Sequence, residues 1–212
     1  MAATSASDSS VQLAMVDVGN VLYRIEFQRT RTALQNLPGY NGREILFGVD
    51  DQDPLFIAAD RGDVSVEAFR RGLRDQFGFS ATDAELDRAW CAILMEPFAH
   101  AYQVELDLHL MYPKARMVLV SNISELHHRQ AASFFEQGWR SNQLYLSYLM
   151  RHRKPDPESF LHVCSTEGVA PEQCILFDDS AANCRSANRL GIRTVQVTPG
   201  DPGLAFRAPT GA

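Results

Sequence analysis

Residues 11–22 read VQLAMVDVGNVL, and the reading of this stretch decides the fold. Leu13 to Val16 form a short apolar run that stops at Asp17, with Gly19 and Asn20 just beyond it. An apolar run bounded by a turn signal predicts a buried strand. A glycine-containing turn then leaves the carboxylate exposed at the strand's C-terminal end. In open α/β sheets that end is where ligands bind. Taken alone, such an aspartate most often only makes a turn, and three later segments change that reading.

The chain has 212 residues, enough for one large core and a small accessory unit. Hydrophobic residues are 45% and charged residues 22%, the balance of a soluble globular protein. The net charge of -6 and the lack of a long Lys/Arg block exclude a nucleic-acid groove. No run approaches the length of a membrane span. The four cysteines, Cys91, Cys164, Cys174 and Cys184, include no CxxC pair, which argues against structural zinc and a disulfide framework. Reduced thiols and a cytoplasmic location are expected. Residues 1–10 lack the apolar segment of a secretory signal and are expected to be disordered. Residues 201–212 are expected to be an irregular tail.

Between residues 24 and 95 the patterns predict helices at 26–37, 42–47, 53–60, 65–77 and 82–93, with no strand. Ser65 and Thr82 are the expected N-caps of the last two, and Thr82 has Glu85 at capping-box spacing. Seventy residues without a strand are too many for a loop, so this stretch reads as a helical cap inserted after the first strand. Residues 11–23 and 96–200 then form the core. A helix is expected around 102–111, followed by a strand at 116–120 ending on Ser121 and Asn122. Next come a helix at 125–135, a strand at 144–146 and a helix at 158–167. A strand at 174–177 ends on Asp178 and Asp179, followed by a helix at 181–190 and a strand at 192–197. Strands alternating with helices predict a parallel sheet flanked by helices, a Rossmann-like α/β core.

Four strand ends or the loops after them thus carry polar groups: Asp17, Ser121 with Asn122, Lys154, and Asp178 with Asp179. Adjacent carboxylates repel and need a cation or hydrogen bonds. An aspartate can act as a nucleophile on phosphorus. Mg²⁺ takes carboxylate, carbonyl and water oxygens, which Asp17, a backbone carbonyl and Asp179 can supply. Ser121 and Lys154 can hold transferring phosphoryl oxygens.

In order and spacing, VDVGNVLYRIEF, ADRGDVSVEAF, VLVSN, RKPDPESF and LFDDSAANCRSANRLGI resemble the haloacid-dehalogenase-like (HAD) superfamily, in its phosphatase branch with a small helical cap. The resemblance is closest to bacterial sugar-1-phosphate phosphatases related to alpha-D-glucose-1-phosphate phosphatase. It implies that Asp17 is the nucleophile and a Mg²⁺ ligand, with the Gly19 carbonyl and Asp179 as further ligands and Asp178 acting through a metal-bound water. It implies that Ser121, Asn122 and Lys154 meet the phosphoryl group. Asn183 would tether Lys154 or the metal ligands, and Arg61 would border the substrate cavity. The implied substrate is a small phosphorylated metabolite, most simply a sugar phosphate, with no nucleic-acid or membrane partner and a monomer or weak homodimer as the state.

Two positions depart from the family pattern. Gly19 stands where most family phosphatases carry the aspartate that protonates the leaving group, although the glucose-1-phosphate-like relatives also tend to have Gly-Asn there. Arg151 stands where relatives usually have glycine, three residues before the lysine. With His152 and Arg153 it makes a more basic loop, read either as favouring anionic substrates or as a solvated face. Of the histidines, only His127 and His152 are kept as residues near a pocket. Two alternatives stay open: a metal-free 2-haloacid dehalogenase, which Asp178 and Asp179 argue against, and a catalytically lapsed binding protein.

Overall fold

The computed structural model describes residues 8–49, 51–138, 143–198 and 200–206. Strand β1, Leu13–Val16, is fully buried and lies at the centre of a five-stranded sheet. The chain then forms β2 (Tyr23–Ile25), α1 (Phe27–Gln35), α2 (Pro54–Asp60), α3 (Val66–Phe77), α4 (Asp83–Trp90) and β3 (Leu94–Pro97). It continues through α5 (Val104–Met111), β4 (Arg116–Ser121), α6 (Glu125–Gln130), α7 (Ala132–Gly138), β5 (Leu144–Leu146), α8 (Ser147–Met150) and α9 (Pro157–Glu167). It ends with β6 (Cys174–Asp178), α10 (Ala181–Arg189), β7 (Arg193–Gln196) and a 3-10 turn at Pro202–Phe206.

The sheet order is β5-β4-β1-β6-β7, and every pair is parallel. The chain moves outward from β1 through β4 to β5, then returns to the other side for β6 and β7. β1 is therefore the switch point, and the C-terminal ends beside it form a crevice. Register sets its contents. Val16 pairs with Leu119 on one side and with Phe177 on the other, so Asp17, Ser121 and Asp178 emerge at one edge. Apolar residues pack both sheet faces, as a parallel sheet requires. A third buried group, built around Trp90, Phe56, Phe69 and Phe77, fills the inserted segment.

The helix starts follow local chemistry. The Ser65 side chain accepts from the backbone of Ala68, and Thr82 with Glu85 closes a full capping box. Each cap is worth about 1 kcal/mol. Other expectations require correction. Residues 42–47 are irregular, not helical. Gly42 has φ +83°, Arg43 N–H bonds the Asn41 side chain, and Leu46 is held by Asp53 through both backbone and side chain. The inserted segment is also not strand-free at its edges, because Tyr23–Ile25 pairs antiparallel with Leu94–Pro97. These strands are too short to show alternation in sequence. The helix expected at 125–135 breaks at Ala131 into α6 and α7, and nothing in its sequence marks the break.

Both ends are more ordered than expected over the described residues. Asp8 pairs with Arg193 and its N–H bonds the Met111 carbonyl. Phe206 is buried and stacks on Phe177 with ring centroids 4.9 Å apart. The expectations for residues 1–7 and 207–212 lie outside the described residues. Among the described residues, no helix is long and apolar enough to cross a membrane.

Cap and core meet tightly at Gly62. It has φ +68°, and a Cβ there would lie 2.2 Å from the Tyr148 backbone oxygen. Both the left-handed conformation and the backbone contact demand glycine. Gly62→Ala is expected to destabilise the protein by roughly 2–4 kcal/mol. Urea unfolding monitored by tryptophan fluorescence checks this, and an unchanged midpoint would contradict the close contact.

Candidate active site

Lys154 is the centre of the crevice. Its side chain is 1% exposed, and Nζ lies 2.8 Å from Asp17 Oδ1 and 2.7 Å from Asp178 Oδ2. The third N–H donates to the Val120 carbonyl at 2.8 Å. All three donors of the ammonium are thus engaged. Burial opposes the charge, but the Asp17 and Asp178 carboxylates outweigh it and hold the ammonium above the ordinary lysine range. No lysine N–H is left over for a phosphoryl oxygen, which the family resemblance had implied.

Asn122 explains how the lysine is placed. Its Nδ2 donates to the Lys154 carbonyl at 2.7 Å, and its Oδ1 accepts from Lys154 N–H at 2.9 Å. The amide is spent on the lysine backbone, so Asn122 positions Lys154 rather than presenting a free group to substrate. Ser121, one residue earlier, is buried and its side chain lines the cavity.

The carboxylates outnumber their cations. Asp17, Asp178 and Asp179 bring oxygen atoms within 4.8 Å of one another, with Lys154 as the buried cation among them. The Asp17 carboxyl is raised to about 8, by burial first, with Lys154 opposing and Asp178 and Asp179 adding to the rise. Asp179 is raised by burial and then by Asp178. Asp178 is occupied by the protein: Oδ1 accepts from Ser180 N–H and Asn183 Nδ2, both at 2.9 Å, and Oδ2 accepts from Lys154 and Asn183. Asn183 therefore tethers Asp178. Asp17, Asp179 and the Gly19 backbone line the open side. This set of hard oxygen donors with excess negative charge fits Mg²⁺.

The turn after Asp17 differs from expectation. Its left-handed residue is Asn20, with φ +56°, not Gly19. The Asn20 side chain accepts from Ile25 N–H and also hydrogen-bonds Asp179. A Cβ on Gly19 would lie 2.8 Å from Ile25 Cδ1, so an apolar side chain stands beside the position of the missing acid.

The cavity above the cluster has a volume of ≈ 320 Å³. Its lining includes Ile25, Phe27, Phe47, Gln52, Asp60 and Arg153 in addition to the cluster. Arg61, expected at the cavity, does not line it and pairs with Asp63 at 3.3 Å. Helix geometry turns its neighbour Asp60 inward instead, buried with 8% of its side chain exposed. Burial raises the Asp60 carboxyl to about 6, with Arg153 opposing. Arg151 takes a left-handed conformation, φ +63°, which explains why a glycine suits that position. Its guanidinium donates to the Gly62 carbonyl, so it ties core to cap. Among the basic residues of that loop, Arg153 and Lys154 line the cavity and His152 does not. Asp60 and Arg153 were not singled out as a pair by sequence, because they sit 93 residues apart on different units.

Known proteins share sequence and fold with this chain. Residues 94–197 match the family Haloacid dehalogenase-like hydrolase. The crystal structure of a HAD family enzyme from Bacteroides thetaiotaomicron, a variant in complex with magnesium and inorganic phosphate, superimposes with a TM-score of 0.79 at 26% identity, covering 90% of this chain and 95% of that one. The fold and these matches support a haloacid-dehalogenase-like hydrolase with a helical cap. Within that class the chain is similar to the D-ribitol-5-phosphate phosphatase of Bacteroides thetaiotaomicron, 28% identical over 190 residues, covering 87% of this chain and 90% of that protein. A shorter match to the validoxylamine A 7'-phosphate phosphatase of Streptomyces hygroscopicus subsp. limoneus is 44% identical over 45 residues, 21% of each chain. These matches do not carry the finer resemblance to glucose-1-phosphate phosphatases.

His127 closes one wall. It is buried, stacks on Trp90 with centroids 4.7 Å apart at 14°, and its Nε2 meets the Trp90 carbonyl at 3.1 Å. Burial pushes its pKa down from 6.5 to about 4, with the Trp90 hydrogen bond opposing. A lowered histidine pKa contributes stability that is present above pH 6.5 and is lost as pH falls towards 4. The loss is about 3 kcal/mol between pH 7 and pH 4. His127→Phe keeps an aromatic ring on Trp90 and removes the titration. Its unfolding free energy is expected to fall about 3 kcal/mol less than the wild type's over that range. Identical pH dependence in the two proteins would show that His127 is not the buried neutral base described.

Proposed function

We propose that this chain is a Mg²⁺-dependent phosphatase that removes the phosphoryl group from a small polyol or sugar phosphate through an aspartyl-phosphate. The observation that carries the reading is the excess of buried carboxylate at the sheet's switch point, with a single lysine holding Asp17 in place. The similarity to a D-ribitol-5-phosphate phosphatase supports the substrate class.

Asp17 offers one oxygen to phosphorus while Lys154 fixes the other, Oδ1, together with the Val18 N–H at 2.7 Å. The new bond is Asp17 oxygen to phosphorus, and the bond broken is phosphorus to the alcohol oxygen, which takes its proton from a water molecule. Water then attacks the aspartyl-phosphate at phosphorus, releasing inorganic phosphate and the free Asp17 carboxylate. Ser121 lines the cavity and would hold a phosphoryl oxygen, and Asn122 fixes the Lys154 backbone. Asp17, Asp179 and the Gly19 carbonyl would hold Mg²⁺, which supplies charge compensation for the phosphoryl oxygens when bound. Gly19 supplies no acid, and Ile25 beside it supplies none either.

The dehalogenase alternative gains no support from the site, because carbon chemistry leaves the excess carboxylate beside Lys154, Asp179 above all, without a cation to bind. Phosphate release from a panel of polyol and sugar phosphates tests the proposal. It is expected to need Mg²⁺, to vanish with EDTA and to fall roughly a thousandfold or more in Asp17→Asn. Dehalogenation of 2-haloacids that survives EDTA would overturn the reading.

A further inference from the structure

Apart from the carboxylate–lysine cluster and the polar residues beside it, the cavity lining contains a polar trio drawn from three places: Gln52 in the cap, Asp60 at the end of α2, and Arg153 immediately before Lys154. Arg153 Nη2 donates to Gln52 Oε1 at 3.0 Å and lies 3.8 Å from Asp60 Oδ2, beyond hydrogen-bond range. Arg153 Nε is buried without a hydrogen-bond partner among the described residues. The Asp60 side chain, 8% exposed, has Arg153 as its ion-pair partner and no hydrogen bond to its carboxylate among the described residues. A buried donor and a buried acceptor beside one cavity thus both have capacity to spare. A buried donor such as Arg153 Nε is costly to leave without a partner.

The trio is also held to the reacting end of the sheet. The Asp60 carbonyl accepts from Ser147 Oγ at 2.5 Å, and that hydroxyl accepts from Ile123 N–H at 2.9 Å, two residues beyond Ser121. Arg153 is one residue from Lys154. Substrate groups bound by the trio are therefore placed relative to the cluster by short, buried links. The charge of Arg153 is offset by Asp60, so the trio offers no net positive charge to a second anion. Its donors and acceptors suit neutral hydroxyl groups.

We propose that Asp60 and Arg153, assisted by Gln52, form the subsite that binds the hydroxyl groups of the leaving alcohol and so select a polyol or sugar phosphate. This rests on the phosphatase reading above. The raised Asp60 carboxyl accords with it, since a hydroxyl donor would restore the solvation that burial removes.

Two measurements test the subsite. The first compares kcat/KM for a five-carbon polyol phosphate and for acetyl phosphate, whose leaving group has no hydroxyl, in the wild type, Asp60→Ala and Arg153→Met. The ratio of the two constants is expected to drop at least tenfold in each variant, mainly through KM for the polyol phosphate. A ratio within twofold of the wild type's would overturn the subsite, as would a wild-type preference for a polyol bisphosphate. The second titrates the polyol phosphate calorimetrically into Asp17→Asn with and without Asp60→Ala. Binding at least tenfold weaker with Asp60→Ala supports the subsite, and equal affinity overturns it. If the wild type releases phosphate from neither compound, the phosphatase reading fails, and the calorimetry still decides whether Asp60 binds the alcohol.

Discussion

The site depends on one buried ammonium group. Lys154 Nζ is bound by Asp17, Asp178 and the Val120 carbonyl, and no other arrangement among the described residues compensates Asp17 and Asp178 at once. Removing one partner of a buried ion pair costs about 3–5 kcal/mol, because the other charge is left without solvent. The neighbouring structure serves to keep that lysine in register. Parallel pairing of β1 with β4 and β6 brings the carboxylates together, and the Asn122 amide clamps the lysine backbone from both sides. The same cluster is one cation short, and that imbalance points to a divalent metal.

The cap adds the wall that the sheet cannot. Trp90 anchors it: its ring packs within the aromatic group of the cap, its Nε1 donates to Ser124 at 3.0 Å, and its carbonyl accepts from Thr30 and His127. Ser124 and His127 lie just beyond Ser121 and Asn122. Cap packing and the Ser121–Asn122 end of the crevice are thus joined within a few residues. Arg151 to Gly62 and Ser147 to Asp60 add two further ties on the other side.

Much of this was legible in the sequence for a physical reason. Strand-end polar residues follow apolar runs, and a parallel sheet must bring those ends to one edge, so Asp17, Ser121, Asp178 and Asp179 are readable without coordinates; Lys154, on the loop beyond α8, is readable only through the RKPDPESF motif. Capped helices such as α3 and α4 are readable because the cap is local. The rest was hidden because it is not local. Asn122 was read as a pocket residue because its clamp on Lys154 spans 32 positions. The resemblance implies Arg61 at the cavity, and one helical step puts its neighbour Asp60 there instead. The loop basicity at 151–154 hid three separate duties, one toward the cap, one in the cavity and one in the cluster. The irregular course of residues 42–47 is hidden because the Asn41 and Asp53 contacts that hold them leave no periodic mark.

The central claim is that Asp17, held by Lys154, takes the phosphoryl group onto itself. Rapid acid quench of the enzyme during turnover of a polyol phosphate carrying a radiolabelled phosphoryl group, followed by peptide mapping, tests it most directly. Label is expected on the peptide containing Asp17, appearing before free phosphate and decaying at the turnover rate. Phosphate release at full rate with no protein-bound label at any quench time, or label on a different residue, would contradict it.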